Sequence, residues 1–250
     1  MSRVQSIERA FAVLAALTDG PIGVTEVADR ADLPKSTAAR LLSSLSREGA
    51  VEQVPGDTRY RLGPRIATLA EGVVPVRSLV ATARPILEEL AASTGETAGL
   101  SVAEGFVVHY VDQVGTSHQV QVRDWTGTRV PMHAVSSGLI FLAHLPPATL
   151  EAFLARDHEA FTARTLSTPG ALRERIATVQ ADGYAWVHEE FAEGLSSVAA
   201  AVADASGSIA AAVHVHGPAY RFPQPDQENA VGIVVRDAAG RVSERLRRSA

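Results

Sequence analysis

The spacing of apolar residues changes period along the chain, and the changes mark its parts. Near the start Ile7, Ala10, Phe11, Leu14 and Leu17 recur at helical intervals and stop at Thr18-Asp19-Gly20-Pro21, a run of turn formers. A short second helix is predicted around Val24, Val27 and Ala28, with Thr25 as its N-cap, before Ala31-Asp32-Leu33 turns the chain into Pro34. The third helix carries Ala38, Leu41, Leu42 and Leu45 at i, i+3, i+4 and i+7, a buried stripe, with Pro34 fitting its first turn. Residues 51–54 and 59–62 then read as two short strands around Pro55-Gly56-Asp57-Thr58, a strong turn signal. Two helices joined by so tight a turn, followed by a hairpin, form a helix-turn-helix with a wing.

Beyond Gly63-Pro64, the residues Ile66, Leu69, Ala70 and Val73 predict a linker helix that Val74-Pro75 interrupts. A long helix follows through Leu79, Ile86, Leu87 and Leu90, with Gly95 in the usual stop position. The period then shortens. Residues 98–102, 106–114, 120–122, 184–187, 197–202 and 209–215 read as strands, with helices between 136 and 183 and at the C-terminus, which makes the larger part α+β. The expected division is a winged helix-turn-helix over residues 1–63, a linker helix over 64–77 and a sensor-like domain over 78–250.

Charge sharpens the first part. The 250-residue chain has a net charge of −5, but residues 1–65 hold nine basic against eight acidic side chains, a net of +1. Contact with a polyanion is therefore expected to be local to the small N-terminal module. The chain's one lysine, Lys35, opens the third helix, whose polar face carries Ser36, Arg40, Ser43 and Arg47 with Thr37 and Ser44 beside them. Double-stranded operator DNA is the expected partner. Ser36, Thr37 and Arg40 are placed to meet base edges in the major groove, while Lys35, Arg47, Arg59 and Arg61 hold phosphates.

Other function classes lose ground on composition. There is no cysteine, hence no disulfide or thiolate chemistry, and no Gly-x-Gly-x-x-Gly, Walker or Gly-x-Ser-x-Gly pattern. Ser136-Ser137-Gly138 lies beside His133, but neighbours in sequence seldom reach the geometry of a catalytic triad. No catalytic residue and no cofactor is expected. No run of eighteen apolar residues and no charged-then-apolar leader occurs, so no membrane span is expected and the cytoplasm is the expected location.

The chain resembles the IclR family of transcriptional regulators nearly from end to end. The resemblance is carried by Leu33-Pro34-Lys35-Ser36-Thr37-Ala38-Ala39-Arg40-Leu41-Leu42 with Glu48-Gly49, by Tyr60-Arg61-Leu62-Gly63 and by Thr94-Gly95-Glu96-Thr97. It continues in Pro131-Met132-His133-Ala134, Asp182-Gly183-Tyr184-Ala185, Glu189-Glu190 with Gly194-Leu195, and His216-Gly217-Pro218. The resemblance implies a winged helix-turn-helix, a linker helix, a GAF-like domain that binds a small-molecule effector, and homodimers that often pair into tetramers on DNA. It also implies where the effector sits, and there this chain departs from its relatives. Ser136-Ser137 stand where a Gly-Ala pair is common, Val187 replaces an acidic residue, Ser197 replaces a frequent cysteine, and His214 and His216 replace two serines.

Residues two apart on a strand face the same way, so both imidazoles are expected in one space. Three readings of the pair stand open. They can be hydrogen-bonded members of a polar core. They can hold a small acidic effector through donated or charge-assisted hydrogen bonds, the reading preferred here. Or they can bind a metal with His188, His133 or a carboxylate of Glu189 or Glu190, since His-x-His on a strand suits zinc. A metal-dependent enzyme or metal-binding sensor is accordingly the alternative to a ligand-responsive regulator.

Overall fold

The computed structural model describes residues 5–70, 76–116 and 122–249. The chain divides into two compact units, residues 1–74 and 75–250. In the first, helices α1 (Gln5–Ala16), α2 (Val24–Arg30) and α3 (Lys35–Arg47) precede strands β1 (Val51–Gln53) and β2 (Tyr60–Leu62) and helix α4 (Pro64–Ala70). Val13, Leu17, Val27, Ala38, Leu42 and Val51 close one core. Of the expected apolar series Leu17 is buried and Leu14 packs against the core, but Ile7 and Phe11 are 56% and 67% exposed, and Val13 and Ala16 are buried in their place. Both sides of α1 carry apolar residues at helical spacing, and the packing of the other helices selects one.

The turn between α2 and α3 is made by a left-handed residue that is not glycine. Asp32 has φ of 51°, Asp32 N–H donates to the Asp29 carbonyl and Leu33 N–H to that of Ala28, which satisfies the last carbonyls of α2. Two capping expectations need correction. Gly23, not Thr25, is the N-cap of α2, and Pro34 is the N-cap of α3, so that Lys35 is its first residue. β1 and β2 pair antiparallel with Glu52 opposite Arg61. Tyr60 is anchored beneath the wing by a two-bond bridge to Ile22.

The second unit is built on a six-stranded antiparallel sheet in the order β5-β4-β3-β8-β7-β6. Its strands are β3 (Thr97–Glu104), β4 (Val107–Val114), β5 (Arg129–Pro131), β6 (Tyr184–His188), β7 (Leu195–Ala203) and β8 (Ile209–Pro218). Helices α5 (Val76–Thr94) and α9 (Glu228–Ser249) contact it, as do α6 (Ser136–Ala143), α7 (Pro147–Leu154) and α8 (Pro169–Asp182) through a core that includes Leu139, Ile140, Phe153, Ile176, Ala199 and Ala212. The alternate residues Val198, Val213 and Val215 are equally buried on the other face. That double burial is why residues 209–213 of β8 read as an unbroken apolar run. β5 was not expected, since three residues ending in proline give no periodic signal. The strand expected over 120–122 falls mostly outside the described residues, and Val122 lies in irregular chain. No helix among the described residues is long and apolar enough to cross a membrane.

Candidate functional site

In the first unit α3 presents Lys35, Ser36, Arg40, Ser43 and Arg47 to solvent, with Thr37 and Ser44 half-buried beside them. Ala38 and Leu42 on the opposite face are fully buried, so the helix cannot roll without opening the core. Lys35 and Arg40 carry no ion pair among the described residues, and Arg47 reaches the Ser44 hydroxyl at 3.3 Å. The wing arginines differ from that pattern. Arg59 Nε lies 2.6 Å from Asp57 Oδ2, and Arg61 Nη2 lies 2.6 Å from Glu52 Oε1. Exposed pairs of this kind are worth at most about 1 kcal/mol, so a phosphate can compete for both guanidinium groups.

In the second unit the register of the sheet assembles a site. Val187 on β6 pairs with Ser197 on β7, which pairs with His216 on β8, while His214 lies between Gly99 on β3 and Ala199 on β7. The two imidazoles stack at 5.6 Å and 14°, in one space as their spacing requires. Gly99 makes that possible, because a Cβ there would lie 2.5 Å from His214 Nε2. Tyr110 meets His214 edge-on at 5.0 Å, and Trp125 packs on Phe191 at 5.6 Å. These side chains, with Ser136, Val135, Ala134 and Leu195, enclose a cavity of about 20 Å³, little more than the room an ordered water needs.

Helix α6 begins at the same wall. Its N-cap, Val135, offers no side-chain oxygen, so the first-turn amides of Ser136 and Ser137 lack a capping side chain beside the cavity. An uncapped helix N-terminus favours an anion, through its free N–H groups and its partial positive charge. Of the six residues expected at an effector, Ser136, Val187, Ser197, His214 and His216 line the cavity and Ser137 does not. The Ser137 hydroxyl is buried without a hydrogen-bond partner among the described residues.

The electrostatics of the histidines correct one expectation. Burial pushes the His214 imidazolium well below its ordinary range, with His216 adding repulsion, and burial pushes His216 down to about 4 against a weaker opposite pull from Asp124. Both rings are therefore neutral at neutral pH in the empty cavity and present no positive charge to an incoming anion. Both nitrogens of His214 and Nε2 of His216 are buried with no hydrogen-bond partner among the described residues. Burial also raises the Tyr110 phenol, which stays protonated.

The metal reading lacks a third ligand among the described residues, where no three His, Asp or Glu side chains gather to hold an ion. His188 pairs with Glu228 at 2.9 Å, and His133 donates to the Glu159 carbonyl at 2.8 Å. Glu189 binds Arg164 at 2.6 Å and Glu190 binds Arg175 at 2.8 Å. Each proposed helper is thus engaged elsewhere. Sequence reasoning missed Gly99, Tyr110, Trp125 and Phe191. Trp125 had a signal, being one of two tryptophans and lying in a stretch without apolar periodicity; Gly99 and Tyr110 are placed by strand register, and Phe191 lies in the connection between β6 and β7.

Comparison with known proteins finds matches over both units. The IclR helix-turn-helix domain matches residues 6–55, and the bacterial transcriptional regulator IclR C-terminal domain matches residues 72–244. The glycerol operon regulatory protein of Streptomyces griseus is 36% identical over 97% of this chain and 96% of its own. The transcriptional repressor IclR of Escherichia coli K12 is 32% identical over 96% of this chain and 89% of its own. An IclR homologue of Microbacterium hydrocarbonoxydans, solved in complex with 4-hydroxybenzoate, is 26% identical with a TM-score of 0.63, over 97% of this chain and 99% of that one.

Proposed function

The chain belongs to the IclR family of bacterial transcriptional regulators, and from that premise we propose that it senses a small carboxylate in the cavity of the second unit and converts its binding into a change in operator affinity. It is a DNA-binding regulator, and its relatives are regulators and not enzymes. The observation that carries the acid-sensing reading is the uncapped N-terminus of α6 opening on a cavity whose histidine nitrogens have no partner. The 4-hydroxybenzoate bound by the Microbacterium homologue is itself an aromatic carboxylate. A carboxylate would rest on the Ser136 and Ser137 amides, with Ser197, His214 and His216 facing it and Val187 supplying apolar wall. The cavity is too small for such a ligand as it stands, so binding must displace wall residues, and that displacement is what can bias one conformation over another.

On DNA, Ser36, Thr37 and Arg40 would read bases while Lys35, Arg47, Arg59 and Arg61 position the protein on phosphates. Residues 64–77 would serve as the linker. Homodimers or dimers of dimers would present two or four reading helices to an operator. With an operator recovered by selecting bound genomic fragments, Arg40→Ala is expected to weaken specific binding by about 1–3 kcal/mol and relax preference at one base pair. Unchanged affinity would remove Arg40 from the reading role. Lys35→Ala is expected to weaken binding to all sequences alike and to reduce the salt slope by about one. A loss confined to the operator would contradict a phosphate contact. Titrating a panel of carboxylates into the protein–operator complex tests the sensor itself; if none shifts the affinity, the acid-sensing reading fails.

A further inference from the structure

Resting on the acid-sensing reading, the cavity carries more information than the charge of its ligand. A neutral imidazole presents one N–H donor and one bare nitrogen acceptor. His214 has both nitrogens unpartnered and buried, and His216 adds its Nε2. At least one of these three atoms is an acceptor, because His214 alone must hold one. A carboxylate offers only acceptors, so it can take the N–H of an imidazole but leaves the bare nitrogen buried and unsatisfied, an unfavourable arrangement. The complementary ligand must also carry a donor. An ammonium group is a poor one, since it would bring a second charge out of water beside the positive end of α6. A hydroxyl donates without charge and adds least volume to a narrow space.

We propose that the effector is a hydroxycarboxylate, its carboxylate on the first-turn amides of α6 and its hydroxyl donating to a ring nitrogen of His214 or His216. The two imidazoles are the only described side chains on the cavity wall whose buried polar atoms lack a partner. The charged and titratable groups that act on them are Asp124, Tyr110 and each other. Burial keeps both rings neutral near pH 7, so the acceptor lone pair is present where the protein works.

The test is calorimetric titration of the full chain at pH 7.5 with glycolate against acetate, lactate against propionate, and 4-hydroxybenzoate against benzoate. In at least one pair the hydroxy acid is expected to bind about tenfold more tightly. His214→Leu or His216→Leu is expected to reduce that advantage to about twofold while changing the affinity of the acid without a hydroxyl much less, and His→Asn, which keeps a donor and an acceptor, is expected to retain more of it. Equal affinity within every pair overturns the hydroxyl assignment and leaves the acid-sensing reading standing. Failure of all six acids to bind overturns both. An advantage that survives in both leucine variants removes the histidines from the recognition, and the comparison within pairs on the unaltered chain decides the matter even if those variants do not fold.

Discussion

Alanine at Gly138 is expected to destabilise the second unit by about 3 kcal/mol, the upper end of overpacking costs, and to abolish any response to a ligand. Gly138 sits in the first turn of α6, where the helix crosses the backbone of Met132. A Cβ there would lie 2.0 Å from the Met132 carbonyl oxygen, 2.4 Å from its Cα and 2.5 Å from its carbonyl carbon. All three are backbone atoms, so no side-chain rotation relieves the contact. Either the short 3-10 turn Met132–Ala134 or α6 itself must move, and with α6 go the amides of Ser136 and Ser137 at the cavity. Both tryptophans, Trp125 and Trp186, belong to the second unit, so unfolding followed by tryptophan fluorescence reports on it directly. A loss of that size lowers the midpoint by roughly 6–12 °C. A midpoint within two degrees of the parent would show that the turn yields at little cost.

Acid should loosen the same unit through its histidines, beginning above the pH at which carboxylates titrate. His216 falls from the ordinary imidazole value of 6.5 to about 4 on folding, and His214 and His158 are lowered as well, in each case mainly by burial. Each therefore binds its proton more weakly folded than unfolded. Between pH 6.5 and 4 the unfolded chain holds more protons, so stability is complete above about 6.5 and is lost as the pH drops. For His216 alone the loss across that window is roughly 3 kcal/mol. Denaturant titrations at pH 7.5 and 4.5 are expected to differ by an amount of that order, and His216→Asn should reduce the difference. Equal stability of the unaltered chain at the two pH values would mean that the rings escape the desolvation assigned to them here.

What could be read from the residues differed between the two units. In the first, an amphipathic stripe, a turn and a wing are local patterns, and the buried pair Ala38 and Leu42 follows from helical periodicity alone. The same reasoning put Ile7 and Phe11 in one series with Leu14 and Leu17, of which only the last two meet the core, and it did not pick out Val13 and Ala16, because only the packing of α2 and α3 separates such equally periodic sets. It also could not see that Asp57 and Glu52 would engage Arg59 and Arg61, since the second of those pairings depends on strand register.

In the second unit the strands were legible over 184–187 and 209–215, but the partners of each strand were not. Ser137 was expected on the wall beside Ser136, yet adjacent positions on a helix point about 100° apart and only one of them meets the cavity. The charge-assisted role for the histidines failed for a related reason. Protonation depends on how much water reaches a ring, and that is settled by Gly99, Tyr110 and the helix packed over the sheet.

By itself the sequence determined the three helices and the hairpin of the first unit, the exposed polar row of α3, and the presence of two imidazoles on one strand face, because each depends on residues within a turn or two of one another. Only the tertiary structure decided that His214 and His216 lie beside the free end of α6, that Gly99 and Gly138 make room for that meeting, and that the rings are neutral. Those facts come from strand pairings that bring together residues more than a hundred positions apart, such as Gly99 and His214, and from burial, which is a property of everything packed around a side chain and not of its neighbours along the chain.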